Sequence, residues 1–294
     1  MVQDLLPVEL STNADGAEIA VLTLDQPGRP VVVIDESLLA RLDATLDTLP
    51  RDLGGFVLAS SAPRAFVAGA DLKAIMAMDD AELHAYLEYG ARVFQRIADL
   101  PCPTAAAIHS VALGGGLELA MHCDGLVGLI DPEAKPFLIG LPEAGLKICP
   151  GWGGTNLLPA RIDATDAIVA TANGRAMKSD QADEMGLFDV TVSTADELIP
   201  VARAWVGAQE TPARSGRPSR CIDESNVDEM KDALSDAREA LESAEHTEAV
   251  CDAVRVGIES GWSAAVKCER DHLVRLRHTE PARETIGAFL NKGK

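Results

Sequence analysis

Two glutamates stand beside glycine-rich turns in this sequence. Glu118 lies in "ALGGGLELAMHCD" (112–124), and Glu143, 25 positions on, in "GLPEAGLKICPGWGGTNLL" (140–158). Glycine is the poorest ordinary helix former, yet Gly114, Gly115 and Gly116 open a short amphipathic segment. Glu is almost never fully buried unless paired, yet Glu118 sits among apolar residues. A further stretch, "AFVAGADLKAI" (65–75), leaves a strand-like run and enters a helix at Asp71. Glycines at such turns let a ligand approach the backbone and leave N–H donors free. Donors of this kind suit an oxyanion that develops during reaction, with a helix dipole behind them. One N–H from each of two turns can grip a carbonyl oxygen while two carboxylates move protons at the carbons beside it. A thioester fits that arrangement, because its α- and β-carbons react through an enolate-like state.

Each of these residues also has a plain structural reading. Glu118 can be a helix N-terminal acid favoured by the dipole, and Glu143 a solvated acid after Pro142;. The glycines can mark only a tight turn, Lys73 can be a surface lysine, and Trp152 can be packing. His109 and His122 read as core or supporting histidines.

The elements that must position the site alternate between strand and helix over the first two hundred residues. "AEIAVLTLD", "GGFVLASS" and "PTAAAIHS" read as strands;. "DESLLARLDATLDTL" reads as a helix capped by Asp35, with Leu38, Leu39, Leu42, Leu46 and Leu49 on one face;. "DAELHAYLEYGARVFQRIADL" is a long amphipathic helix stopped by Pro101, and Thr194 and Glu197 form a capping box for another;. The expected organisation is an α/β core over 1–206, a Pro-, Gly-, Arg- and Ser-rich linker over 207–221, and a helical region over 222–294;. Within the last, residues 247–276 read as one long helix.

Composition narrows the partners. The chain of 294 residues is 47% hydrophobic, enough for a sizeable core;. Its net charge of −20 repels phosphate backbones and anionic membranes, so neither nucleic acid nor membrane is expected as a partner;. No run of eighteen apolar residues and no basic-then-apolar leader is present, and six scattered cysteines lack a CxxC pair. These features predict a cytoplasmic protein with reduced thiols and no zinc.

Taken together and in order, "FVAGADLK", "ALGGGLELAMHCD" and "GLPEAGLKICPGWGGTNLL" resemble the crotonase, or enoyl-CoA hydratase/isomerase, superfamily over roughly residues 15–200;. "FQRIADLPCPT", "IGLPE" and "RHTEPARETIGAFLN" look most like the hydratase part of the bacterial fatty-acid oxidation complex α-subunit. No GxGxxG motif of a dehydrogenase domain is present, so the chain looks like the hydratase module alone.

The resemblance implies a spiral core of ββα units and a trimer or hexamer. It implies an oxyanion hole from the N–H groups of Ala70 and Gly115, with Glu118 and Glu143 activating water and Glu143 exchanging the Cα proton. Ala68, Asp71, Leu72 and Lys73 would follow the CoA moiety, with Lys73 at its phosphates, while Gly114 and Trp152 would border the acyl pocket. CoA arrives on the substrate, and no separate cofactor or metal is implied. The reaction expected is hydration of 2-trans-enoyl-CoA in fatty-acid β-oxidation. A Δ3-Δ2-enoyl-CoA isomerase and a non-catalytic CoA-binding or assembly module are the alternatives.

This sequence departs from the family pattern in three places. The spacing of 25 between the glutamates is several residues long, with the extra length in "GLIDPEAKPFL". "IHS" at 108–110 replaces the usual Asn-Gly, and Asp163 stands where Gly is common.

Overall fold

The computed structural model describes residues 4–13 and 16–291. Strands β1 (Val8–Thr12) and β2 (Glu18–Leu24) lead into helix α1 (Glu36–Leu46). β3 (Gly55–Ser60) and β4 (Ala65–Val67) are followed by α2 (Leu72–Ala77) and α3 (Asp80–Ala98). β5 (Thr104–Ile108) and β6 (Val111–Leu113) run into α4 (Gly115–Met121). β7 (Gly125–Leu129) and β8 (Leu138–Gly140) precede a 3-10 turn (Glu143–Leu146) and the short α5 (Gly154–Leu157). Then come α6 (Ala164–Ala172), β9 (Met177–Lys178), α7 (Ser179–Glu184), β10 (Val190–Val192) and α8 (Ala195–Ala208).

The strands divide between two sheets. β3, β5 and β7 join a sheet ordered β1-β2-β3-β5-β7-β10, while β4, β6 and β8 join one ordered β4-β6-β8-β9. The pairs within β2-β3-β5-β7-β10 and β4-β6-β8 are parallel, and β1 and β9 pair antiparallel at the edges. After β1 and β2, which both join the first sheet, each successive strand pair from β3-β4 to β7-β8 adds a strand to both sheets before its helix or turn, and the chain winds as the spiral α/β fold expected.

Strand alternation explains the layers. Leu22, Phe56 and Leu58 enter the central core, while Val21, Val57 and Ala105 point the other way, onto Ala202 and Val206 of α8. The helix caps follow local rules. Asp35 accepts from Leu38 N–H at 2.8 Å, and Thr194 N–H donates to Glu197 at 3.2 Å;. Asp163, in place of the common Gly, caps α6 by accepting from Asp166 N–H at 3.0 Å.

The C-terminal region forms α9 (Val227–Ala240), α10 (Glu245–Ser260), α11 (Trp262–Leu276) and α12 (Glu280–Asn291). The expected single helix over 247–276 is thus two. Gly261, at φ 80, ends α10 in a conformation L side chains rarely adopt, and α11 folds back along α10;. α11 also packs on α3, and α10 on α6 and α5. No helix among the described residues is long and apolar enough to cross a membrane.

The segment expected as a linker, 207–221, is held to the α/β core by charge. Arg214 is bidentate on Asp124, at 2.8 and 2.9 Å, and donates to the carbonyls of Leu100 and Cys102;. Asp124 is 7% exposed at the side chain and also accepts from Thr104 N–H and Oγ. Burial alone would raise the Asp124 pKa, but hydrogen bonds led by Arg214 hold it below the ordinary range. Arg214→Met leaves that carboxylate buried without its counter-ion, and the expected loss is about 3–5 kcal/mol of stability. Urea unfolding measures it, and a loss under about 1 kcal/mol would mean that the pair is solvated in practice.

Candidate active site

A cavity of about 350 Å³ is bordered by the ends of α2 and α4, the 3-10 turn and the turn before α5. Leu273 of α11 and Phe289 of α12 complete its wall. Of the residues expected at a site, Ala68, Ala70, Leu72, Gly114, Gly115, Glu118, Glu143 and Trp152 line this one cavity. Asp71 and Lys73 do not line it. The Asp71 carboxylate caps α2, accepting from Lys73 N–H and Ala74 N–H at 3.0 Å, and Lys73 is exposed.

The backbone leaves donors at the expected places. Ile34 N–H donates to Gly69 O at 2.9 Å and Asp71 N–H to Ile34 O at 3.1 Å, which fixes the chain on either side of Ala70. Gly114 N–H is taken by Gly140 O at 2.9 Å. No hydrogen bond among the described residues takes the N–H of Ala70 or of Gly115.

The glycine run has a packing reason at every position. Gly114 adopts φ 54, and a Cβ there would stand 2.4 Å from Glu143 Oε1. A Cβ on Gly115 would meet the Trp152 ring at 2.4 Å, and one on Gly116 would meet Val67 O at 2.3 Å. The run lets Glu143, Trp152 and β4 close around the start of α4, besides baring the backbone.

Glu118 is 1% exposed. Its Oε1 accepts from Trp152 N–H and Gly154 N–H, both at 2.8 Å. Between them, Gly153 N–H donates to Glu269 Oε2 at 2.5 Å, and Thr155 N–H to Glu269 Oε1 at 2.8 Å. Four successive N–H groups thus alternate between two carboxylates. Glu269, on α11 and fully buried, was not among the expected residues, since in sequence it is one charge among several on a helix.

Glu143 opens the 3-10 turn, and its buried Oε2 has no hydrogen-bond partner among the described residues. The extra residues between the glutamates fall in an exposed turn, 131–136, between β7 and β8, so they do not displace Glu143 from the cavity.

The three carboxyls are strained electrostatically. Burial raises Glu118 well above its ordinary 4.5, and the like charges of Glu269 and Glu143 add to it, against hydrogen bonds from Gly154 and Trp152;. Burial also raises Glu143 and Glu269, the latter opposed by its three donors. The group titrates as a unit that holds protons above the usual carboxylate range.

Trp152 is 2% exposed, donates its indole N–H to Leu87 O at 2.9 Å, and meets Tyr86 edge-on at 5.6 Å between ring centroids;. His122 is buried, with Nδ1 2.8 Å from the Glu118 carbonyl, and its ring packs against Phe94 and Trp262. It supports α4, while His109 holds Ala62 O at 2.8 Å. Asp252, Cys268 and His272 bring ligand atoms within 4.8 Å of one another away from the cavity. Arg255 donates to this Asp252 and Arg275 lies 3.5 Å from this His272, an unfavourable surrounding for a cation.

Comparison with known proteins gives the class. Residues 14–219 match the family described as enoyl-CoA hydratase/isomerase, and the chain belongs to that family. Solved structures share the fold over nearly the whole chain. An enoyl-CoA hydratase from Bacillus halodurans is similar at 18% identity and TM-score 0.66, covering 96% of this chain and 99% of that one. One from Mycobacterium avium subsp. paratuberculosis K-10 is 16% identical with TM-score 0.64, covering 98% and 97%. One from Bacillus anthracis is 23% identical with TM-score 0.58, covering 96% of each.

The raised carboxyls make stability depend on pH with a definite sign. A carboxyl raised in the folded state stabilises below its unfolded pKa, and that contribution is lost as pH rises through the folded value. Half-buried His109 and buried His122 have lowered pKa values, so they act in the opposite sense, but only below 6.5. Between about pH 6.5 and 7.5, below the range where the cysteines raised by burial add a fall of the same sign, the carboxyls dominate, and stability should fall by up to about 1.4 kcal/mol per pH unit for each one still protonated;. Denaturant titrations across this range should show the fall, and Glu118→Gln should flatten it. A wild-type stability that rises over the same range would refute the assignment.

Proposed function

We propose that the cavity is the active site of an enoyl-CoA hydratase, which adds water across the double bond of 2-trans-enoyl-CoA to give 3-hydroxyacyl-CoA. The observation that carries this reading is the meeting of two carboxylates, Glu118 and Glu143, with two untaken N–H groups, Ala70 and Gly115, in one cavity. The thioester oxygen accepts from Ala70 and Gly115, which polarises the conjugated double bond. Glu118 takes a proton from water as the water oxygen bonds to Cβ. The double-bond pair moves toward Cα and the thioester oxygen, and Glu143 in its protonated form delivers a proton to Cα. Return of the proton from Glu118 to Glu143 restores the starting state.

CoA enters as part of the substrate. Ala68 and Leu72 border its path into the cavity, and exposed Lys73 lies at the surface where its phosphates would be neutralised. Placement in fatty-acid β-oxidation, the finer likeness to the fatty-acid oxidation complex, a trimeric or hexameric assembly and a cytoplasmic location belong to the same proposal. The first three are supported by the resemblance of the sequence motifs, and the last by six scattered cysteines without a CxxC pair;.

Glu118→Gln and Glu143→Gln should each lower kcat for a short enoyl-CoA by about 10²–10⁴. The double variant should be little worse than either single one, because the two act as a unit. If Glu118→Gln hydrates normally while Glu143→Gln is inactive, an isomerase working through one acid is the better answer. A wild type that turns over no enoyl-CoA of any chain length would favour the binding module.

Trp152 also sets a limit on the acyl chain. It lines the cavity on one side and, on the other, a surface hollow bordered by Gln95, His122 and Trp262. Trp152→Ala should therefore join the two and move the preference, read as kcat/KM over a chain-length series, toward longer chains. An unchanged profile would place the end of the acyl pocket elsewhere.

A further inference from the structure

Glu269 sits in the middle of α11, far along the chain from the turn it grips. A carboxylate is buried this completely only when donors match its lone pairs. Here they are Gly153 N–H at 2.5 Å on Oε2, and Thr155 N–H at 2.8 Å and Thr155 Oγ at 2.5 Å on Oε1. Trp152 and Gly154, the alternate members of the same turn, hold Glu118. Glu269 itself does not line the cavity, so any effect on substrate passes through the turn.

We propose that Glu269 is a positioning residue for Glu118. By fixing Gly153 and Thr155 it sets the direction of the Trp152 and Gly154 N–H groups, and with it the orientation of the Glu118 carboxylate in the cavity. The geometry of the acid pair thereby depends on α11 being docked. The proposal rests on the reading of Glu118 as an acid of the site.

A second, electrostatic influence runs the same way. The titratable groups that interact here are Glu118 on α4, Glu143 on the 3-10 turn, Cys149 in the loop after it and Cys268 beside Glu269 on α11. All are acids, so a negative Glu269 raises the proton affinity of Glu118 without a cation among these groups to offset it;.

Three variants test the proposal. Glu269→Gln turns an amide NH₂ toward donors that need an acceptor. Thr155→Val deletes the hydroxyl that donates to Glu269 and accepts from Asn156 Nδ2, and Thr155→Ser keeps it. With a short enoyl-CoA, Glu269→Gln should lower kcat about ten- to a hundredfold, the scale expected for a misplaced catalytic group, with KM within about threefold. Thr155→Val should lower kcat about tenfold, and Thr155→Ser should restore it to near the wild-type value. The acid limb of the kcat profile should move to lower pH in Glu269→Gln as Glu118 loses a like charge.

A wild-type kcat and acid limb in Glu269→Gln overturn the proposal, as does a Thr155→Val indistinguishable from Thr155→Ser. Should Glu269→Gln fail to fold, the Thr155 pair decides. Infrared titration of the buried carboxyls supplies a readout without turnover. The band that Glu118→Gln removes should titrate at lower pH in Glu269→Gln, and a band that stays in place counts against any action of Glu269 on Glu118. A wild type that hydrates no enoyl-CoA yet shows this shift overturns the hydratase reading and leaves the Glu269–Glu118 coupling standing.

Discussion

The turn from Trp152 to Thr155 is the constraint on which the site depends. Its four N–H groups are shared alternately between Glu118 and Glu269, so two carboxylates from distant parts of the chain clamp one strip of backbone. Backbone N–H groups before a helix have no intrahelical acceptor, and the buried ones must find one. Buried carboxylates have the reverse need. Each side satisfies the other, and the result fixes α4, the turn and α11 together. Trp152 is held in the same act, because its N–H is one of the four and its indole reaches across to Leu87.

That clamp operates against a cost. Glu118, Glu143 and Glu269 all stand away from water, and the like charges of Glu143 and Glu269 push up the proton affinity of Glu118. Hydrogen bonds from the turn offset part of this for Glu118 and Glu269, and Glu143 Oε2 receives none. The two N–H donors on Glu118 Oε1 favour its ionised form and oppose the burial and like charges that raise it, whereas Glu143 Oε2 has no such donor among the described residues;. Two identical side chains thus meet different hydrogen-bonding environments, a difference that the residue type alone does not show.

What could be read from the sequence was local. The Asp35 cap, the Leu38–Leu46 stripe, the strand-to-helix turns at 69–71 and 114–116, and the acids beside them each follow from residues within a few positions of one another. Asp71 belongs to the same local set, since the helix entry read at that position is the cap its carboxylate makes on α2. The break at Gly261 was hidden because one glycine inside a helical pattern is tolerated, and only the fold-back of α11 onto α10 decides that it ends a helix;. Glu269 was not legible at all. Its partners Gly153 and Thr155 are chosen by tertiary docking, and on α11 it is flanked by Lys267, Cys268, Arg270 and Asp271, among which nothing marks one charge as buried.

The position of Glu269 bears on where the functional unit ends. The family match runs from residue 14 to 219, and the sheets apart from edge strand β1, the glycine turns and both cavity acids lie within it. Glu269, Leu273 and Phe289 lie beyond it, and they complete the clamp and the cavity wall. The C-terminal helices are therefore not an appendage that packs on a finished site. An α/β core of this kind can present bare N–H groups and two acids from its own turns, but the strip of backbone between them has donors left over. A helix carrying one acid in the right register supplies the missing acceptor, and docking it closes the cavity in the same step. The same physical demand, that no buried donor go unmatched, ties the last third of the chain to the chemistry of the first two.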